Sequence, residues 1–363
     1  MKVMIAGGGT GGHLYMGIAL ARELLRRRPA CDFLFVGTRR GLESRIVPQE
    51  GFRLEYIVSA GLKGMGAFDL IRNFSLIPGS LWQARRLIRA YKPDVVVGVG
   101  GYSSGPVLLA AWWLGKPTLI LEPNAYPGLT NRLLARAVDL VAVAMPEAER
   151  HFRGKAMVTG MPVRPEFNNL PPRAPEQTFT VLIYGGSQGS HALNMIVCAA
   201  LQDLKPLIPR LGLIHQTGQK DLEAVKRAYE AAGVEGDVRP FLPCIYEEFA
   251  RANLILSRAG ASTVAEITVA GRAAILVPFP GAADDHQTKN AQALERLGAA
   301  RMVPERDWAA GRLAQELEHF MQHPEEVTRM EEAARTAAKP DAAERIADLV
   351  LSLTGMQQPE RVA

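Results

Sequence analysis

The 363-residue chain is poor in cysteine, has no long uninterrupted apolar run and shows no clustered metal ligands. Its three cysteines, Cys31, Cys198 and Cys244, are far apart and form neither a disulfide framework nor a C-x-x-C pair. That usage fits a reducing compartment, with the three serving as small apolar residues. No secretory signal is expected, because Met1-Lys2 leads straight into a strand and the first glycine arrives before an apolar h-region could form. The most hydrophobic region, Val95 to Leu121, is cut by Gly98, Gly100, Gly101, Gly105, Pro106, Gly115 and Pro117, whereas a membrane span needs about 20 uninterrupted apolar residues. It reads as buried strand, loop, helix and second buried strand.

Charge is present but unevenly placed. Residues 1–160 carry 21 Lys and Arg against 11 Asp and Glu, and residues 161–363 carry 21 against 26. The basic half is expected to face an anionic partner. Between Lys63 and Lys92, the bases Lys63, Arg72, Arg85, Arg86, Arg89 and Lys92 meet a single acid, Asp69, and are interleaved with Met65, Phe68, Leu70, Ile71, Phe74, Leu76, Ile77, Leu81 and Trp82. From Leu81 onward an ordinary core-facing helix explains the pattern. Met65 to Ile77 has more apolar surface than a loop needs, which points to docking on an anionic membrane surface. Nucleic acid is not expected as a partner, since the aromatic and basic residues form no recognisable binding module.

The length suits two domains. At the amino end Val3-Met4-Ile5-Ala6 breaks into Gly7-Gly8-Gly9-Thr10-Gly11-Gly12-His13 and then into helix-forming sequence. Strand, glycine loop and helix let backbone N–H groups converge on an anion or a developing negative charge. Gly7, Gly9 and Gly12 meet the G-x-G-x-x-G spacing, a weak pattern alone, and a tight βα turn without a ligand is the plain alternative. A dinucleotide site also wants an acid at the end of the second strand. That strand, Phe33 to Val36, runs into Gly37-Thr38-Arg39-Arg40, with no carboxylate there. The loop therefore reads as a phosphate or catalytic loop, with His13 a candidate base.

Strands at Val95–Val99 and Thr118–Leu121 flank a helix at Val107–Leu114, an alternation that predicts a parallel sheet with helices on both faces. Prolines gather at 161–165 and 170–175 and mark a linker. Directly after it, Phe179 to Tyr184 runs into Gly185-Gly186-Ser187-Gln188-Gly189-Ser190 and a helical pattern from Ala192 to Leu201. The opening motif thus recurs at the midpoint. The fold class is α/β, two Rossmann-like domains with a ligand cleft between them. The boundaries expected are 1–163, 164–338, and a terminal amphipathic helix with a mobile tail over 339–363.

Several segments carry chemistry. In Ser257-Arg258-Ala259-Gly260 through Ile267, small residues clear a path to a helix start where orphan N–H groups could hold a phosphate. Glu266 on that helix either accepts ribose hydroxyls or complements the helix dipole. Gly281 to Ala291 packs Asp284, Asp285, His286, Gln287, Lys289 and Asn290 together. One His beside two Asp is a poor zinc pattern. A cap by Asp284 or Asp285 and a surface for sugar hydroxyls at Gln287 and Asn290 are the readings that remain. The loops Gly100–Pro106 and Glu122–Gly128 follow strands, and Tyr102, Ser103, Glu122 and Asn124 there border the same cleft or form ordinary turns.

Taken in order, Gly8 to His13, Gly100 to Pro106, Asn124 with Gly128-Leu129-Thr130-Asn131, Pro162-Val163-Arg164, Gly185 to Gly189, Ser257 to Glu266, and His286-Gln287 with Asn290-Ala291 closely resemble the MurG family, bacterial glycosyltransferases of peptidoglycan synthesis with a GT-B fold. The resemblance covers nearly the whole chain. It implies an inverting transfer of N-acetylglucosamine from UDP-N-acetylglucosamine to the C4 hydroxyl of the muramyl sugar of lipid I, giving lipid II and UDP. It implies a peripheral enzyme on the cytoplasmic face of the membrane, with no cofactor and no obligatory metal. Carried over by motif, Arg164 and Ser187 face the diphosphate, Leu242 lies beside the uracil, Glu266 binds ribose and Gln287 holds the donor sugar. Thr10, Gly11, Gly12 and Asn124 complete the donor site, His13 is the base, and Tyr102, Ser103 and Glu122 lie on the acceptor side. Met16 stands where the family usually has proline, and Pro123 where a glutamine commonly precedes the asparagine. Another GT-B enzyme, such as a UDP-sugar epimerase or a glycolipid synthase, would share the glycine loops, and a nucleotide-sugar binding protein without catalysis is the rival from a different class.

Overall fold

The computed structural model describes residues 1–8, 11–39, 41–59, 67–171 and 178–355. They divide into two compact units, residues 1–162 with 340–363 and residues 163–339.

In the first unit, strands and helices alternate as β1 (Lys2–Gly7), α1 (Gly11–Arg27), β2 (Asp32–Gly37), α2 (Glu43–Gln49), β3 (Arg53–Tyr56), α3 (Ala67–Tyr91), β4 (Val95–Gly100), α4 (Ser104–Trp113), β5 (Thr118–Glu122), α5 (Leu129–Leu134), β6 (Leu140–Val143) and β7 (Ala156–Val158). The seven strands are parallel in the order β3-β2-β1-β4-β5-β6-β7. Helices cover both faces, so the central strands read as continuous apolar runs and not as alternating ones. Val95, Val96 and Val97 are all fully buried. Met4, Ala6, Val96 and Ile120 from the sheet pack with Val107 and Leu108 of α4 and with Phe152 in one core.

The second unit repeats the plan as β8 (Phe179–Tyr184), α6 (His191–Leu204), β9 (Leu211–Gln216), α7 (Leu222–Ala232), β10 (Asp237–Arg239), α8 (Ile245–Arg251), β11 (Leu254–Ser257), α9 (Ala261–Ala270), β12 (Ala273–Leu276), α10 (His286–Arg296), β13 (Ala300–Met302), α11 (Arg312–Gln322) and α12 (Pro324–Ala337). Its six parallel strands run β10-β9-β8-β11-β12-β13. Val181, Ile183, Leu256 and Ile275 of the sheet pack with Leu193 and Val197 of α6 and Phe320 of α11. The edge strand β10 is short, only three residues.

The last helix, α13 (Ala342–Leu353), returns to the first unit and lies on α1. Ile346 and Val350 of its apolar stripe are buried. Arg27 at the end of α1 ion-pairs with Asp348 and donates to the Glu344 carbonyl. The tail expected to be mobile lies, from residue 356, outside the described residues.

In each sheet the strand order reverses beside the first strand of the unit, at β1/β4 and at β8/β11. Loops at that switch point diverge to opposite faces and leave a crevice beyond the strand ends. Both glycine loops leave from strands at these points. Among the described residues no helix is long and apolar enough to cross a membrane.

Candidate active site

In the first unit, β1 runs out into Gly7 and Gly8, and the Gly8 N–H donates to the Gly100 carbonyl at the end of β4 (3.2 Å). Gly9 and Thr10 lie outside the described residues. Gly11 and Gly12 open α1, and His13 in its first turn is half-buried. The imidazole lies against Gly100, where a Cβ would stand 3.1 Å from Nε2. Gly100 has φ +95°, a conformation that side chains rarely adopt. Both conformation and space therefore call for glycine beneath His13.

The next loop sorts its polar residues by direction. Tyr102 is exposed, and its carbonyl accepts from the Ser59 hydroxyl (2.7 Å). Ser103 is buried and its hydroxyl donates to the Val36 carbonyl (3.2 Å), tying the β4 loop to the end of β2. Glu122, at the end of β5, is also buried. One of its oxygens accepts from the Asn124 N–H (2.9 Å) and side-chain amide (3.1 Å), the other from the Gly128 N–H (3.1 Å) and the Asn131 amide (2.8 Å). Burial raises the Glu122 pKa above the ordinary carboxylate value, against the pull of these hydrogen bonds. Glu122 thereby folds the loop that presents Asn124 and starts α5.

The acid missing after the second strand is present in space. Glu43, in the first turn of α2, is 1% exposed and turns its carboxylate back to the end of β2, where Oε1 accepts from the Thr38 N–H (2.8 Å) and hydroxyl (3.0 Å). A search for a carboxylate contiguous with β2 misses it. The legible signal was the set of glycines around it, Gly8, Gly37 and Gly41.

In the second unit two helix starts stand on neighbouring strands. α6 begins after Gly185-Gly186-Ser187-Gln188-Gly189-Ser190, and α9 after Gly260, each without a side-chain cap on its first N–H groups. Uncapped N–H groups and the helix dipole make such ends anion-binding. Ser187 is exposed at the first of them. Arg258, 7% exposed, holds the two loops together. Its Nε donates to the Ser190 hydroxyl (2.9 Å), Nη1 to the Val277 (3.1 Å) and Pro278 (3.2 Å) carbonyls, and Nη2 pairs with Glu305 (2.6 Å).

Glu266 on α9 meets the Tyr184 hydroxyl at 3.5 Å. Burial pushes its pKa up to about 7, while the Arg164 charge and the tyrosine hydroxyl pull down. Arg164 donates to the Pro243 carbonyl (3.3 Å) and lies over the rings of Phe167 and Tyr246. Leu242 is buried beside the half-exposed Phe241, so Phe241 presents the larger apolar face. Gln287 accepts the Phe279 N–H through its side-chain carbonyl (3.0 Å), and Asn290, fully buried, donates to the Ala259 carbonyl (3.1 Å). Asp285 occupies the position before α10, yet its carboxylate takes the Thr288 hydroxyl (2.6 Å) and caps no backbone N–H.

Beneath the α6 loop runs a buried network that the sequence did not single out. Burial pushes the His215 pKa down to about 4, so the ring is neutral. Asn194 Oδ1 can only accept, so His215 Nε2 donates to it (3.1 Å) and Nδ1 accepts from the Tyr229 hydroxyl (3.2 Å). The Asn194 amide donates to the Thr217 carbonyl (2.9 Å), and Gln216 donates to the Gly186 carbonyl (2.8 Å).

Residues 3–143 match the glycosyltransferase family 28 N-terminal domain and residues 180–346 its C-terminal domain. The chain is 49% identical to the UDP-N-acetylglucosamine--N-acetylmuramyl-(pentapeptide) pyrophosphoryl-undecaprenol N-acetylglucosamine transferase of Anaeromyxobacter sp. (strain Fw109-5), over 97% of this chain and 93% of that one. It is 45% identical, with the same coverage, to the transferase of that name from Myxococcus xanthus (strain DK1622). Its fold is similar to that of Acinetobacter baumannii MurG, with a TM-score of 0.81 at 33% identity over 97% of this chain and 99% of that one. Identity of this order along almost the whole length, on two glycine-looped parallel sheets, places the chain in the MurG family of glycosyltransferases.

Proposed function

We propose that this enzyme transfers N-acetylglucosamine from UDP-N-acetylglucosamine to the muramyl C4 hydroxyl of lipid I, releasing UDP and forming lipid II. The near full-length match to transferases of that name carries the reading. The acceptor oxygen attacks the anomeric carbon as the bond from that carbon to the diphosphate oxygen breaks, and the electron pair leaves with UDP. A single displacement inverts the anomeric carbon. The hydroxyl proton passes to His13, the one imidazole among the described residues at the first unit's switch point, acting as general base.

Charge developing on the diphosphate is met by the uncapped starts of α6 and α9, with Ser187 and Arg164 beside them. Glu266 accepts the ribose hydroxyls. The Gln287 carbonyl is committed to Phe279 N–H, so its NH2 is what it offers the donor sugar. The base lies against Phe241 and Leu242. From the first unit Thr10, Gly11, Gly12 and Asn124 complete donor binding. Tyr102 contacts the acceptor, while Ser103 and Glu122 act by holding the loops that face it.

The acceptor carries a polyprenyl tail, so the enzyme works at a bilayer, which we place at the cytoplasmic face. Trp82 of α3 (63% exposed) and Trp112 and Trp113 of α4 (54% and 70%) lie on packed helices, with Arg86 over Trp82 and Arg85 over Trp113. Tryptophan with basic neighbours suits the headgroup region of an anionic membrane. Of the segment expected to dock, Met65 to Ile77, residues 65 and 66 lie outside the described residues, as do the side chains of residues 67–75.

Incubation with UDP-N-acetylglucosamine and a soluble lipid I analogue tests the reaction. UDP release that depends on the acceptor supports it; release without acceptor, or epimerised donor as the product, sinks it.

A further inference from the structure

Glu43 is a buried carboxylate outside the reaction described above, and its surroundings are unusual. A Cβ on Gly8, Gly37 or Gly41 would overlap its side chain. Three backbone segments, the exit of β1, the end of β2 and the approach to α2, thus close on one carboxylate with no side chain of their own in between. An acid in a helix's first turn ordinarily faces solvent and complements the dipole. This one instead reaches back to Thr38 and is 1% exposed. Its carboxylate sits just past the end of β2, the position at which a dinucleotide-binding fold keeps its ribose acid.

A physical chain leads from there to the base. Glu43 abuts Gly8, the Gly8 N–H binds the Gly100 carbonyl, and Gly100 is the floor against which His13 rests. We infer that Glu43 is a positioning residue for this glycosyl transfer: it holds the exit of β1 and, through Gly8 and Gly100, sets where the His13 imidazole stands. The inference rests on the transferase reading with His13 as base. Glu43 touches no substrate, and the donor-binding groups of the second unit do not depend on it.

The experiment uses the full chain, UDP-N-acetylglucosamine and a soluble lipid I analogue. Glu43→Ala is expected to lower kcat by about tenfold or more, since small misplacement of a reacting group is costly, and to leave UDP affinity by calorimetry within about twofold. Glu43→Gln, whose amide oxygen still accepts from Thr38, restores kcat to within about threefold of the original. Hydrogen exchange over residues 6–16 and 96–104 speeds up in Glu43→Ala and not in Glu43→Gln. Unchanged kcat in Glu43→Ala, equal damage by both variants, or a parallel loss of UDP affinity overturns the inference. If Glu43→Ala melts below the assay temperature, Thr38→Val carries the test, and the same kcat as the unmodified chain overturns it. Absence of turnover in the unmodified chain counts against the transferase reading, and the exchange measurement then decides the positioning role alone.

Discussion

The His13 imidazole lies directly against the Gly100 backbone, with Nε2 at 3.1 Å from where a Cβ would be. The contact joins α1, which follows β1, to the end of β4, the strand beside β1 where the first sheet reverses its order, and it makes a glycine in β4 part of the geometry around the proposed base. Gly100→Ala adds a single methyl group at φ +95°, a conformation that costs about 1 kcal/mol or more for a side chain. It also pushes on the ring. The expected result is a fall in kcat of about tenfold or more with UDP affinity unchanged; steady-state kinetics beside calorimetry reads both, and an unaltered kcat removes Gly100 from the argument.

Two groups in the second unit titrate in opposite senses. The folded Glu266 pKa, about 7, lies above its ordinary value, so its contribution to stability is full below pH 4.5 and is lost as pH rises through 7. The folded His215 pKa, about 4, lies below its ordinary value, so its contribution is full above pH 6.5 and is lost as pH falls toward 4. Each is worth on the order of 2–3 kcal/mol. Between pH 4.5 and 6.5 they offset one another. Urea titrations across that window are expected to show Glu266→Gln losing stability as pH falls and His215→Asn gaining it, and parallel curves for the two would contradict the assignment. Glu266→Gln also raises stability at pH 8 while weakening UDP binding.

The ribose contact proposed for Glu266 predicts a pH dependence for donor binding. Ribose hydroxyls donate best to an ionised Glu266, so UDP affinity is expected to rise between pH 6 and pH 8 and to lose that dependence in Glu266→Gln. Calorimetry at three pH values checks it.

Glu122 accepts four hydrogen bonds, and its removal leaves the Asn124 and Asn131 amides and two backbone N–H groups without their acceptor. Unsatisfied buried donors cost about 1–3 kcal/mol each, partly relieved by water. Glu122→Ala is expected to destabilise the chain by roughly 2–4 kcal/mol and to abolish transfer. Glu122→Gln recovers less than the similar shape suggests, because its NH2 faces donors. Denaturant melts of the three proteins test this, and a neutral Glu122→Ala would remove Glu122 from its place as the organiser of the loop.

For the bilayer, Trp82→Ala with Trp113→Ala is expected to lower flotation with anionic vesicles, while turnover of a soluble acceptor analogue stays unchanged. Reversing Arg85 and Arg86 to Glu weakens it further, by about 1 kcal/mol per basic residue lost near the surface. Equal recovery of original and variant with anionic lipid would show that this face is not the docking surface.

Local sequence determined the two sheets, the two glycine loops and the order of strands and helices, because β-branched runs and the glycines after them act within a few residues. It also supplied the segments, from Arg164 to Gln287, that carry the proposed donor groups. Which side chains those segments turn inward was decided by tertiary packing. Ser103 and Tyr102 are adjacent, yet one is buried against Val36 and the other is exposed. Glu122 turns from the acceptor side to its own loop, and Arg258 meets Glu305, far along the chain, by way of the β12 loop. Glu43 is the clearest case. The four residues after Val36 include no carboxylate, and only the packing of Gly8, Gly37 and Gly41 around the first turn of α2 brings Glu43 to that place, because glycines near it in sequence and one remote from it, Gly8, together leave room for a single buried side chain.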